Sequence, residues 1–356
     1  MDVYIPLAIY VIAITFIFRE HKKIMFFMAF IPLLLFWGTR LDFGADYTSY
    51  RDKYNYQHEW DFGTYIFFAL GGKIEPGYFL LMKLAPDYNS LIFLCSSIYA
   101  LGIILFFYKY VPNKFYTLAF IMFLFCSSSY LVVQTIRSSL TLSFFLMACI
   151  AKMNNKMKLA YVLALLSATF HMSGFLLLLL LIPKNETLIK YNNVLSVATC
   201  LFAFIALLIP NFWASFLNRL MGGFGNLSDS YDQYVYERSV GLGFYFLSFI
   251  RIGFIIYVLS LIKRKVISSN YYWFAWMTIL YYVFYLIQNV EITYRFCTYL
   301  YFITIIFKCY VLMVDKKWTS KMFVGVSIVY TLLNFYNITM NPFNDPTNQE
   351  YHSFLI

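Results

Sequence analysis

Long apolar runs alternate with short polar breaks along the whole chain, and lysine and arginine collect in the breaks. Within the runs, apolar residues do not alternate with polar ones. The stretch from Leu176 to Ile182 is leucine throughout until its final residue, so the runs predict helices rather than barrel strands. Spanning helices are expected at about 3–18, 24–37, 88–108, 115–133, 138–151, 191–212, 242–262, 271–290, 296–314 and 322–335. A shorter apolar stretch opens at Glu75-Pro76-Gly77-Tyr78 and ends near Ala85-Pro86. Ten helical residues cover only about 15 Å, half a bilayer, which predicts a re-entrant or interfacial helix.

The run 159–182 reads two ways. As one spanning helix it places Lys263-Arg264-Lys265 on the outer side, against the preference of basic residues for the cytoplasmic side. As two half-helices broken at His171-Met172-Ser173-Gly174, it brings every later loop into agreement with that preference. The expected fold class is all-α, a polytopic transmembrane helical bundle of about 10–12 helices including re-entrant segments. It forms a single membrane domain over 1–356 with two large extracytoplasmic loops, 39–75 and 214–239, and an external tail, 337–356. The loops and tail are the expected mobile parts, for want of apolar periodicity.

Composition supports this. Of 356 residues, 62% are hydrophobic and 12% charged, against about 25% charged in soluble domains. A soluble fold needs a wet exterior that this chain does not supply. The net charge of +10 lies at the ends of apolar runs, which argues for membrane orientation and against nucleic acid. Arg19, His21, Lys22 and Lys23 after the first run place the N-terminus outside, with no cleavable signal expected. The six cysteines lie in apolar runs without a CxxC pair and read as small buried hydrophobes, not as zinc ligands or disulfides.

A chain so poor in charge concentrates it where recognition happens. The stretch 38–54 holds Arg40, Asp42, Asp46, Arg51, Asp52 and Lys53 interleaved with Tyr47, Tyr50 and Tyr54. With Glu75, Arg137, Arg219, Asp229, Glu291 and Arg295, several of these fall at the outer face on the expected topology. Ions at the middle of a spanning helix cost about 2.5–3.5 kcal/mol each on insertion scales, less toward the membrane edge, and persist for function or pairing. Arginine's fork suits a diphosphate, so Arg40, Arg137 and Arg295 are the candidate diphosphate ligands. Asp46, Glu75 and His171 are rival candidates for a general base. Asp42, Tyr47, Tyr50, Tyr231 and Tyr234 are candidates for sugar contact, because a tyrosine ring is apolar with a polar tip. No metal and no cofactor are expected.

Four short motifs occur in order: Arg40-x-Asp-x-Gly-x-Asp46-Tyr47-x-x-Tyr50, Glu75-Pro-Gly-Tyr78, Ile136-Arg137-Ser, and Ala168-Thr-Phe-His171-x-Ser. Together they resemble the EpsG/Wzy family of multi-spanning polymerases of O-antigen, capsule and exopolysaccharide. The resemblance implies a glycosyltransferase of the bacterial inner membrane, with its active site facing the periplasm. Its substrates would be undecaprenyl-diphosphate-linked glycans within the membrane lipid, and a chain-length regulator is a possible partner. A growing glycan would pass en bloc from its lipid diphosphate to the hydroxyl of a new repeat unit. The rival readings are a transporter or flippase of lipid-linked sugars and a membrane O-acyltransferase using His171.

Overall fold

The structure is a computed structural model, and it describes residues 3–44, 46–70, 75–126, 129, 131–209, 242–287, 291–340 and 352–353. Among these are seventeen α-helices and one pair of two-residue strands, as the apolar pattern requires of an all-α chain. Four helical segments are long and apolar enough to cross a membrane: Tyr88–Tyr110, Ile136–Met153, Tyr245–Lys263 and Phe296–Val314. Shorter apolar helices accompany them. The chain divides into two compact units, residues 1–182 with 328–356, and residues 183–327.

The first unit contains α1 (Tyr4–Ile17), α2 (Lys22–Gly38), α3 (Tyr47–Gln57), α4 (Phe62–Leu70), α5 (Pro76–Leu84), α6 (Tyr88–Tyr110), α7 (Tyr116–Leu124), α8 (Leu131–Gln134), α9 (Ile136–Met153), α10 (Met157–Ala168) and α11 (Ser173–Leu181). Helices α6 and α9 cross closely because small residues meet there. A Cβ added to Gly102 would lie 2.3 Å from Ser143 Oγ and 2.8 Å from its Cα. Strands β1 (Arg40–Leu41) and β2 (His352–Ser353) pair antiparallel, with Arg40 opposite Ser353 and Leu41 opposite His352. Ser353 Oγ also donates to Thr39 Oγ1 at 2.8 Å, so this part of the tail is tied to the start of the first loop.

Two expectations change here, and the broken reading of 159–182 holds. The helix expected at 115–133 is two helices, with α7 ending at Leu124 and α8 beginning at Leu131. Hydroxyls compete for the carbonyls that the next helical turn would have used. Tyr4 donates to Leu124 O at 2.5 Å, and Ser129 Oγ bonds the carbonyls of Leu124 (3.0 Å) and Cys126 (2.8 Å). The first loop is not irregular, since it holds α3 and α4. Tyr47, Tyr50 and Tyr54 recur at helical spacing and bury one face of α3. The run 159–182 takes its broken form, with α10 ending at Ala168 and α11 starting at Ser173. Gly174 lets the two halves fold closely together, because a Cβ there would lie 2.5 Å from Ala168 Cα.

The second unit contains α12 (Asn185–Lys190), α13 (Asn192–Leu208), α14 (Leu242–Lys263), α15 (Tyr272–Leu286), α16 (Glu291–Val314) and the first part of α17 (Trp318–Met340). From Phe296 to Val311 every side chain of α16 is buried, which makes it the central helix of this unit. Asn185 Oδ1 accepts the backbone N–H of Trp273 at 2.8 Å, satisfying a free donor at the start of α15. Arg264 and Asp315 pair at 3.0 Å beyond the ends of α14 and α16. Five of the six cysteines are buried and all are free thiols; Cys200 on α13 is the exposed one.

Candidate functional site

The first unit brings the four sequence motifs together. Helix α9 begins at Ile136, which puts Arg137 in its first turn. A cation there opposes the helix dipole, a cost of about 0.3–1 kcal/mol that an acid partner must offset. Glu75 is that partner, accepting from Arg137 Nη1 at 2.5 Å. Pro76 is the first residue of α5, and the residue before a proline is pushed to extended backbone. Glu75 is indeed extended (φ −81°, ψ 126°) and makes no cap to its own helix, which leaves its carboxylate for Arg137.

Arg137 Nε donates to Tyr50 Oη at 3.3 Å, and its guanidinium lies 5.6 Å from the Tyr50 ring centre. The ammonium of Lys53, one turn further along α3, lies 5.8 Å from the same ring. Asp46 immediately precedes α3, is half-buried and makes no side-chain cap to that helix. Its charge, with those of Glu75 and Arg137, acts on both Tyr50 and Lys53. Burial pushes the Tyr50 phenol above its ordinary pKa, so it stays neutral near pH 7. Partial burial lowers the Lys53 pKa first, and the Arg137 cation lowers it further.

Below these groups is an apolar floor that includes Tyr54, Tyr65, Tyr78, Phe79, Tyr88, Ile136 and Phe170. Tyr54 donates to Ala85 O at 2.8 Å and Tyr88 to Tyr47 O at 2.9 Å, locking α3 to the end of α5 and to α6. Tyr65 stacks on Phe79 at 4.0 Å, which docks α4 on α5. The Tyr78 hydroxyl is buried, edge-on beside Tyr50, and has no hydrogen-bond partner among the described residues. An unmet hydroxyl of this kind costs about 1–3 kcal/mol.

The break between α10 and α11 closes against the start of α5. Gly77 N–H donates to Thr169 O at 2.9 Å, and a Cβ at Gly77 would lie 2.3 Å from Thr169 Oγ1. His171 lies in this break. Its Nδ1 accepts the Ser173 N–H at 3.2 Å and sits 2.9 Å from Ser173 Oγ. The neutral tautomer selected by that bond carries its proton on Nε2, so His171 offers a donor more readily than a base.

Arg40 is 1% exposed and acts as a structural clip. Its guanidinium donates to Trp37 O at the end of α2, and from Nη2 to Val132 O of α8 at 2.9 Å. Both carbonyls belong to last helical turns, which lack intrahelical partners. Arg40, expected either to organise the loop or to hold a second phosphate, makes the helix-end contacts of a loop organiser. Gly44, at φ +118°, completes that clip, because a Cβ there would meet Val133 O at 2.3 Å. Tyr47 and Tyr50, named as candidates for sugar contact, are 3% and 5% exposed and turn into the core. Asp42 is exposed, at φ 48°, and pairs with Arg51 at 2.8 Å. Tyr231 and Tyr234 lie outside the described residues, as does the side chain of Arg295, whose backbone is in α16.

The sequence reading passed over Arg251. It interrupts the apolar run of α14, is 2% exposed, donates from Nη1 to Tyr285 O at 2.9 Å and lies 4.6 Å from the Tyr285 ring centre. A charge in mid-span was the available signal. Like Arg40, it serves a carbonyl in a last helical turn, here that of α15.

The EpsG family profile matches residues 23–353, nearly the whole chain. The protein belongs to the EpsG family. This agrees with the order of its four motifs and supports a polysaccharide polymerase-type membrane protein. Neither a curated protein nor a solved structure matches the chain.

Proposed function

We propose that this EpsG-family protein joins polyprenyl-diphosphate-linked oligosaccharide units, undecaprenyl being the expected lipid, at the outer leaflet of the bacterial inner membrane. The active site faces the periplasm. The observation that carries this reading is the half-buried Arg137–Glu75 pair beside Tyr50 in a membrane protein of this family. The acceptor hydroxyl attacks the anomeric carbon of the donor sugar. A new glycosidic C–O bond forms and the bond between that carbon and the diphosphate oxygen breaks. The hydroxyl proton passes to Glu75 or Asp46, and the electron pair leaves with the lipid diphosphate. Arg137, placed at the leaving diphosphate, stabilises the charge that develops there. When Glu75 takes the proton it ceases to neutralise Arg137, which strengthens Arg137's hold on the leaving group. Arg295 is proposed as a further diphosphate ligand, and Asp42 as a sugar contact from the exposed edge of the loop.

The test is a deletion strain complemented with variants and analysed by gel. Wild type restores a polymer ladder, while Arg137→Ala and Arg295→Ala leave single repeat units at unchanged protein level. A normal ladder in both variants removes the diphosphate assignment. Complete loss of surface glycan in the deletion strain, instead of single units, favours a transporter of lipid-linked sugars.

A further inference from the structure

We propose that Lys53 is a second phosphate-binding residue of this site, and that Lys53 and Arg137 together grip the diphosphate of a polyprenyl-linked sugar across the Tyr50 ring. The inference rests on the reading that the site takes a lipid diphosphate.

The two cations lie against one ring, with Arg137 Cζ at 5.6 Å and Lys53 Nζ at 5.8 Å from its centre. Their hydrogen-bonding states differ. Arg137 commits Nε to Tyr50 and Nη1 to Glu75, while its Nη2 makes no hydrogen bond among the described residues. Lys53 is exposed and, among the described residues, makes neither a hydrogen bond nor an ion pair. Two unspent cationic donor groups therefore stand around one rigid, buried spacer, Tyr50, at 5% exposed.

Partial burial lowers the Lys53 pKa first, repulsion from the Arg137 cation lowers it further, and the attraction of Glu75 and Asp46 does not reverse this. An anion between the two cations turns this repulsion into two attractions. A monophosphate can satisfy one cation well, whereas a diphosphate has two phosphoryl groups to offer. The side chains divide the work according to their shapes. Arg137 gives a fixed, directional contact, and Lys53 gives a mobile point charge on a flexible stem that can follow the phosphate as the bond breaks. Helix α3 holds Lys53 in register because Tyr47, Tyr50 and Tyr54 anchor its buried face and Lys53 follows Tyr50 by three residues, beside that face.

The test measures binding of farnesyl diphosphate, farnesyl monophosphate and inorganic diphosphate to the purified full-length protein in detergent. Wild type is expected to prefer farnesyl diphosphate to the monophosphate. Lys53→Gln should weaken farnesyl diphosphate at least about tenfold and abolish most of that preference, while Lys53→Arg retains it. Lys158→Gln, an exposed charge on α10, serves as the control for general charge loss. Tighter binding of farnesyl diphosphate than of inorganic diphosphate identifies a lipid-linked ligand; equal binding identifies free diphosphate and overturns the lipid part of the assignment. If Lys53→Gln binds like wild type while Arg137→Gln does not bind, the Lys53 assignment fails and the site reading stands. If wild type binds none of the three probes, the site reading itself fails.

Discussion

At the scale of single residues, the Arg137–Glu75 pair and Lys53 respond differently to charge removal. The pair is partly exposed, with side chains 26% and 17% accessible, so solvent screens it and the full cost of breaking a buried pair does not apply. Arg137→Gln or Glu75→Gln alone is expected to cost on the order of 1–2 kcal/mol of stability, with much of this recovered in the double variant. A double-mutant cycle on thermal unfolding in detergent checks this, and additive losses would show that the two groups are not coupled. Lys53 has the opposite sign. Its folded pKa is lowered, so the unfolded chain binds the proton more tightly, and stability rises with pH between the lowered value and the ordinary lysine range. Lys53→Gln should therefore leave the midpoint unchanged or raise it slightly while polymer yield falls. A clear drop in midpoint would make Lys53 a structural residue.

At the scale of elements, the site is built from interruptions. Helix α8 is a stub whose carbonyls receive Arg40, α9 starts late enough to put Arg137 at its first turn, and the gap between α10 and α11 seats the start of α5. Each interruption trades intrahelical bonds for contacts to side chains or to another backbone, which satisfy the freed backbone groups. The contact of Gly77 with Thr169 leaves no room for a methyl group. Gly77→Ala should cost about 1–3 kcal/mol by overpacking and reduce polymer by displacing Glu75. Adding Thr169→Ala, which removes the closest atom, should restore part of both. Thermal unfolding and the gel ladder read the two effects, and no recovery in the double variant would show that the strain lies elsewhere. Part of this was legible in sequence: Ser173-Gly174 after His171 marked a break, and Glu75-Pro76-Gly77 marked a helix start. The break after Leu124 was not legible, because it depends on Tyr4, 120 residues away, competing for a carbonyl.

At the scale of the whole molecule, the tail returns to the first loop. Strand β2 pairs with Arg40–Leu41, and Ser353 bonds Thr39, next to the Arg40 clip. Truncation after residue 340 should leave the protein in the membrane but lower both its unfolding midpoint and its polymer yield. Ser353→Ala alone should cost about 1 kcal/mol. Membrane fractionation, unfolding and the gel ladder separate these outcomes, and a truncated chain as stable and active as wild type would make the pairing dispensable.

The apolar runs by themselves determined a helical membrane protein, because hydrocarbon demands long stretches that satisfy their own backbone, and this demand is written locally. The motifs determined the family, and with it Glu75 and Arg137 as residues to watch. Only tertiary structure decided that these two meet across 62 positions, and that Arg40 is spent on helix ends. It also decided that Tyr47 and Tyr50 face inward and that Lys53 and Arg137 both stand against the Tyr50 ring. The reason is physical. Burial and pairing depend on which helix ends and faces come together, and in a chain where tyrosine serves equally as core, surface and ligand contact, composition does not distinguish these roles.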